Sequence, residues 1–215
     1  MNADSTRAPR YRRRGALDLP EAYHYAPALG DLTGDGRPDL VLGTWKGRLA
    51  LYRNDGDGGF TALDESLLER DGRHATPTLG DLTGNGRLDL VVGAADGAVY
   101  LYPNTGTASE PAFGEETELL PPDRDRSRSA PTLHDVNDDG VLDLVIGAEE
   151  GLFVAENTGR STAPAFGDGA SPVSIEGAPR LATPVVEDLD GDGMPDLVSG
   201  TERGGLVLFR PVPEP

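Results

Sequence analysis

Four times along the chain an unbroken apolar run follows a polar loop. The runs read Asp39-Leu-Val-Leu-Gly43, Asp89-Leu-Val-Val-Gly93, Asp143-Leu-Val-Ile-Gly147 and Asp196-Leu-Val-Ser-Gly200. Runs this short, closed by Gly, suit a strand covered on both faces better than a helix. Upstream of each loop, Pro27, Pro77, Pro131 and Pro184 open a first short strand. Downstream, a turn leads to a third strand, at Arg48 to Arg53, Ala98 to Tyr102, Gly151 to Ala155 and Gly205 to Arg210. Asn54, Asn104 and Asn157 start the next turn, and an aromatic segment around Phe60, Phe113 and Phe166 makes a fourth strand. Tyr11, in Ala8-Pro9-Arg10-Tyr11, reads as one more copy of that segment at the start of the chain.

Four strands per unit of about 50 residues is the arithmetic of a β-propeller blade. The pattern therefore predicts an all-β protein: four four-stranded blades, with residues 1–10 a flexible N-terminal segment and residues 11–215 the propeller. In this phase the N-terminal strand completes the last blade and closes the ring, which removes open sheet edges. The alternative is a homodimer in which two chains form an eight-bladed ring. Residues 62–72, Ala-Leu-Asp-Glu-Ser-Leu-Leu-Glu-Arg-Asp-Gly, could also make a helical turn.

The loops themselves carry the candidate chemistry. Each is nine residues long, and they begin at Asp31, Asp81, Asp135 and Asp188, separated by 50, 54 and 53 residues. Oxygen-bearing side chains stand at positions 1, 3, 5 and 9: Asp31, Thr33, Asp35 and Asp39; Asp81, Thr83, Asn85 and Asp89; Asp135, Asn137, Asp139 and Asp143; Asp188, Asp190, Asp192 and Asp196. Position 6 is Gly in all four, and position 7, where a backbone carbonyl would serve, is Arg37, Arg87, Val141 or Met194. That is the ligand spacing of a calcium loop. The loops lack an EF-hand's Glu at position 12 and its flanking helices, so the spacing predicts up to four Ca²⁺ per chain held in a β repeat. Carboxylate count predicts that the fourth site binds tightest and the second weakest.

Charge changes the picture little once the loops are counted. The formal charge of −18 includes twelve Asp at ligand positions, and four Ca²⁺ would leave about −10. The acidic balance argues against nucleic acid as a partner. There is no Cys, no apolar run approaches a membrane span, and the polar start Met1-Asn-Ala-Asp-Ser-Thr does not read as a signal peptide.

With loops and strands in place, the units resemble FG-GAP/VCBS repeats, the calcium-loop blades of integrin α-subunit propellers and of many bacterial surface and secreted proteins. Phe113-Gly114 and Phe166-Gly167 match the first half of the family label; Gly93-Ala94 and Gly147-Ala148 match the second half without its proline. The resemblance implies an extracellular or cell-surface protein and a binding partner, protein or glycan. Family propellers usually have seven blades, whereas this chain has four repeats.

Few residues outside the loops invite a chemical role. Trp45 stands in the turn between second and third strands, where it could stack on a sugar or a partner; Tyr23 and Tyr25 flank His24 in the other aromatic cluster. His24 and His74 occupy one repeat position, which suits blade packing, and His134 precedes the ligand Asp135. Arg7, Arg10, Arg12, Arg13 and Arg14 concentrate positive charge at the N-terminus, as a solvated outer strand or an anion-binding patch. No nucleophile motif is present. The expected function is a non-catalytic, calcium-binding propeller that binds protein or glycan. One alternative is a lyase-like enzyme on acidic glycans using His24, Tyr25 and His74; another is a purely structural module.

Overall fold

The computed structural model describes residues 17, 19, 24–69, 74–167, 169–173, 180, 183–191, 193–200 and 205–210. They form four antiparallel meanders. The first sheet contains β1 (Tyr25–Gly30), β2 (Asp39–Thr44), β3 (Arg48–Asn54) and β4 (Phe60–Glu69). The second contains β5 (Thr76–Gly80), β6 (Asp89–Gly93), β7 (Val99–Tyr102) and β8 (Thr117–Leu120). The third contains β9 (Ala130–His134), β10 (Asp143–Ala148), β11 (Gly151–Ala155) and β12 (Ser171–Pro172). Three described strands make the fourth: β13 (Thr183–Glu187), β14 (Asp196–Gly200) and β15 (Leu206–Phe209). One 3-10 turn, Arg124–Arg126, is the only helical element among the described residues. None of them forms a helix long and apolar enough to cross a membrane.

The sheets follow one another around a shared cavity to which all four contribute residues, so the molecule is a four-bladed β-propeller. Every loop joins first and second strands at the same register, pairing Gly30 with Asp39, Gly80 with Asp89, His134 with Asp143 and Glu187 with Asp196. The second strands are the core. β2, β6 and β10 are buried almost throughout, as their uninterrupted apolar runs require. Two clusters span neighbouring blades: Val41, Leu49 and Leu51 pack with Leu90, Val92 and Tyr100, and Val91, Val99 and Leu101 pack with Leu144, Ile146 and Phe153.

Blades are also tied through their backbones. His74 and Ala75 donate to the carbonyls of Trp45 and Thr44 in the blade before, at 2.7 and 3.1 Å, and Arg128 and Ser129 repeat this on Ala95 and Ala94 at 3.0 and 3.1 Å. Contact this close requires glycine on the facing strand. A Cβ on Gly43 would stand 2.1 Å from the Ala75 carbonyl oxygen, and one on Gly93 would stand 2.2 Å from that of Ser129.

Two sequence expectations are corrected, and a third lies outside the described residues. Residues 62–72 were a candidate helical turn, but β4 runs through Glu69, pairing with β3 across register shifts that bring Leu67 and Leu68 onto the core; residues 70–72 lie outside the described residues. Phe113 lies ahead of the second blade's fourth strand, bridging Asn104 alone, because Pro111 and Gly114 sit in the turn that Asn104 organises. Phe166 likewise precedes β12 and fills the core between blades. In the fourth blade, β15 is the outer described strand, with Leu206 77% and Leu208 47% exposed. The N-terminal strand expected beside it, with Tyr11 and the arginine cluster, lies outside the described residues.

Candidate functional site

The first three Asp/Gly loops are built from the same three hydrogen-bond devices, and the described residues of the fourth repeat those at position 1 and, in part, at position 9. At position 1 the Asp carboxylate caps the backbone of the turn: Asp31 accepts from Gly34 and Gly36 at 2.7 and 2.8 Å, Asp81 from Asn85 and Gly86 at 2.9 and 2.7 Å, Asp135 from Asp139 and Gly140 at 3.1 and 2.8 Å, and Asp188 from Gly191 and Gly193 at 2.7 and 3.0 Å. Position 6 has positive φ in every loop, 80° at Gly36 and 79° at Gly86, which places its N–H beneath that carboxylate at a conformation glycine reaches without a Cβ clash. At position 5, the side-chain oxygens of Asp35, Asn85 and Asp139 each accept from the N–H of position 7 at 2.9 Å.

Position 9 behaves differently. Asp39, Asp89 and Asp143 are fully buried, and Asp196 nearly so. One oxygen of Asp39 accepts from Leu32 and Thr33 at 3.0 and 2.9 Å; the other accepts from Asn54 at the end of β3, at 2.9 Å. Asp89 repeats this with Leu82, Thr83 and Asn104 at 2.9, 2.8 and 2.8 Å. Asp143 does so with Val136 and Asn157 at 2.9 and 2.7 Å. A buried carboxylate needs such partners to offset its lost hydration. In the fourth blade the residue matching Asn54 is Pro211, which has no N–H, and Arg210 instead approaches Asp196 at 3.6 Å and Asp190 at 3.2 Å.

Asn54, Asn104 and Asn157 are site residues that sequence reading treated only as turn starters. Their Nδ2 donate to the position-8 carbonyls of Pro38, Leu88 and Leu142, while their Oδ1 accept from Gly56, Gly106 and Gly159. Their signal was a constant offset of 14 or 15 residues from the position-9 Asp.

The donor set fits a hard divalent cation, since every loop offers several hard oxygens on one tight turn. Thr33 supplies the clearest sign. Its Oγ1, at position 3, is buried and has no hydrogen-bond partner. Thr83 Oγ1, at the same position, takes the Asn85 amide at 2.8 Å, and Asn137 accepts from Asp139 at 3.1 Å. Among the described residues no three acidic or histidine side chains converge as one cluster, and Asp192 lies outside them. The position-7 arginines reach across the blade: Arg37 and Arg87 donate through Nε to the carbonyls of Asn54 and Asn104 at 3.0 Å, and Arg37 also pairs with Asp35.

A second constellation lies where the four blades meet. Residues three before the strand prolines, His24, His74 and Arg128, have φ of 54°, 72° and 58°, a left-handed bend that turns each connection into its first strand. Because the bend recurs, their side chains gather around Trp45. Trp45 lies 5.7 Å from the His24 ring, 5.5 Å edge-on from the His74 ring, and 5.2 Å beneath the Arg128 guanidinium. His74 Nε2 is 3.0 Å from Thr76 Oγ1. Burial first, then Arg128 and His24, push His74 below the usual histidine range. These side chains and Tyr25 line a cavity of about 450 Å³, completed by Thr183 and Gly200 of the fourth blade. Of the aromatic candidates, Trp45 and Tyr25 share this cavity; Tyr23 lies outside the described residues.

The loops and sheets define a β-propeller of Asp/Gly-loop blades. The model of the FG-GAP-like repeat matches residues 31–92, 83–146 and 135–199, and the chain belongs to that family. No curated protein matches the chain. Among solved structures it is similar to an Agrocybe aegerita lectin described in specific recognition of non-reducing terminal N-acetylglucosamine, at 22% identity and a TM-score of 0.54, over 86% of this chain and 51% of the lectin. It is also similar to BBS1N, solved in complex with ARL6DN, at 18% identity and a TM-score of 0.48, over 87% of this chain and 51% of that one. The chain therefore spans about half the length of the solved structures it matches.

Proposed function

We propose that this protein is a calcium-stabilised, non-catalytic propeller, extracellular or on a cell surface, that binds a glycan or a protein. The buried, partnerless Thr33 Oγ1 inside an oxygen-rich loop carries the calcium part of this reading. The residues that would hold the ions are the side chains at positions 1, 3, 5 and 9 and the carbonyls of Arg37, Arg87, Val141 and Met194. Bound Ca²⁺ would supply positive charge where acidic side chains crowd one turn, fixing the crossing between first and second strands. Likeness to a lectin supports the binding part at the level of fold.

Thermal unfolding in calcium and in EGTA tests the scaffold. A site held at a hundredfold its Kd adds about 2.7 kcal/mol, so several occupied loops should raise the melting temperature by many degrees. Identical melting in both buffers, with no heat on calcium titration, would sink the proposal. Calorimetry on single-loop variants should also rank the fourth site tightest and the second weakest.

A second reading is favoured by one observation. A lyase acting on acidic glycans needs His24, Tyr25 and His74 on one face, and all three line the same cavity. His74→Ala should then abolish cleavage of a uronate polymer, whereas a wild-type protein inert towards such polymers counts against this reading.

A further inference from the structure

The axial cavity has a charge balance that blade packing does not require. Arg128 is half-buried, and its side chain makes no hydrogen bond or ion pair among the described residues; its neighbour is the Trp45 ring. Arg126, two residues earlier, shows what this chain does with an arginine it buries: it holds Asp123 and the Pro121 carbonyl, both at 2.8 Å. Acids outnumber bases 37 to 19, so a guanidinium with no carboxylate partner among the described residues stands out. Glu149, at Trp45's position in the third blade, is committed to Ser127 Oγ at 3.0 Å. Burial, and after it the charges of Arg128 and His24, lower the pKa of His74 in the same cavity.

We propose that this axial pocket binds a carboxylate-bearing pyranose, a hexuronic acid residue, with Arg128 receiving the carboxylate and Trp45 the carbon face of the ring. This assignment rests on the binding reading above and names its ligand class. Arg128 offers a planar fork of N–H donors suited to a carboxylate. A phosphate dianion calls for more than the one fixed charge that the described lining residues supply. The remaining lining suits a hydroxylated ring with an apolar face: Ala26, Ala75 and Ala130 present carbon, and Thr44, Thr76 and Thr183 bring hydroxyls from three blades. The volume of about 450 Å³ lies within the roughly 300–1,000 Å³ typical of small-molecule sites.

Trp45 is the chain's only tryptophan, so its fluorescence reports on this pocket directly. The full chain in calcium is titrated with galacturonate, with galactose as the neutral counterpart, and with an oligogalacturonate to distinguish a free acid from a chain terminus. Galacturonate should change the emission saturably and galactose should not. Arg128→Gln should weaken galacturonate by about tenfold or more, the loss of a charge-assisted pair, while Arg128→Lys keeps part of the affinity. Calcium-dependent melting of each variant confirms the fold. Equal responses to acid and neutral sugar, no response to the acid, or undiminished affinity in Arg128→Gln would overturn the assignment. Glycan binding seen by calorimetry with silent Trp45 emission would overturn the pocket alone and leave the binding reading standing.

Discussion

Replacing Asp89 by Asn tests whether the last Asp of each loop is chiefly a cation ligand or a structural acceptor. Its carboxylate is fully buried and takes three backbone N–H groups, from Leu82, Thr83 and Asn104. Asn can keep one oxygen against Leu82 and Thr83, but its amide then faces the Asn104 N–H, donor against donor. Losing a charge-assisted bond in a buried site costs roughly 1.5–3 kcal/mol, and weakening the other two adds about 1 kcal/mol more. The expected loss is therefore about 2.5–4 kcal/mol, a large share of the 5–15 kcal/mol typical of a domain. Asp89→Ala would orphan all three donors at about 1–3 kcal/mol each, so Asn is the variant that still folds. Asp81→Asn is the comparison, because Asp81 is only half-buried and water can replace its bonds. Urea unfolding followed by circular dichroism, in EGTA, separates this structural cost from any loss of a metal. Asp81→Asn should then cost under about 1.5 kcal/mol, because its carboxylate bonds are open to solvent. Equal losses for the two variants in EGTA would refute the reasoning.

Two further outcomes follow from the blade contacts. Gly43→Ala puts a Cβ onto the Ala75 carbonyl and Pro77 Cδ, at 2.1 and 2.7 Å, where no rotamer relieves the clash. Denaturation should show a loss of about 3 kcal/mol or more, the upper end of overpacking. Gly58→Ala, at positive φ with nothing within 4 Å, should lose only the roughly 1–2 kcal/mol of a left-handed residue. His74 gives a pH dependence whose sign is fixed. Its folded value is depressed, so the unfolded chain binds more protons near the ordinary value of about 6.5. Its contribution is intact above that value and falls away as pH drops through it towards the folded value. His74→Asn, which tolerates the same left-handed backbone, should flatten the stability slope between about pH 8 and about pH 5.5; an unchanged slope would exclude His74 as its source.

What the sequence disclosed was local, and what it concealed depended on how blades turn towards one another. The nine-residue loops and the buried second strands are legible because their determinants lie within about fifteen residues. The Asp, Gly and apolar positions that specify them act on their own turn, at one register, in all four blades. Residues 62–72 misled because Leu63, Leu67 and Leu68 sit at helical spacing; pairing with β3 overrides it, half-burying Leu67 and Leu68 against the core while Leu63 stays 45% exposed. The repeat position shared by His24 and His74 was visible, as was Trp45 in its turn. That Arg128 completes the set was not, because its neighbours come from three blades and more than 80 residues of chain. The common element is backbone: each left-handed bend serves the blade that carries it, and the side chains it aims inward meet only because the bend is repeated around an axis. A propeller places unlike residues together at its centre by copying one local conformation, so sequence differences among repeats, harmless to each blade, accumulate there as chemistry.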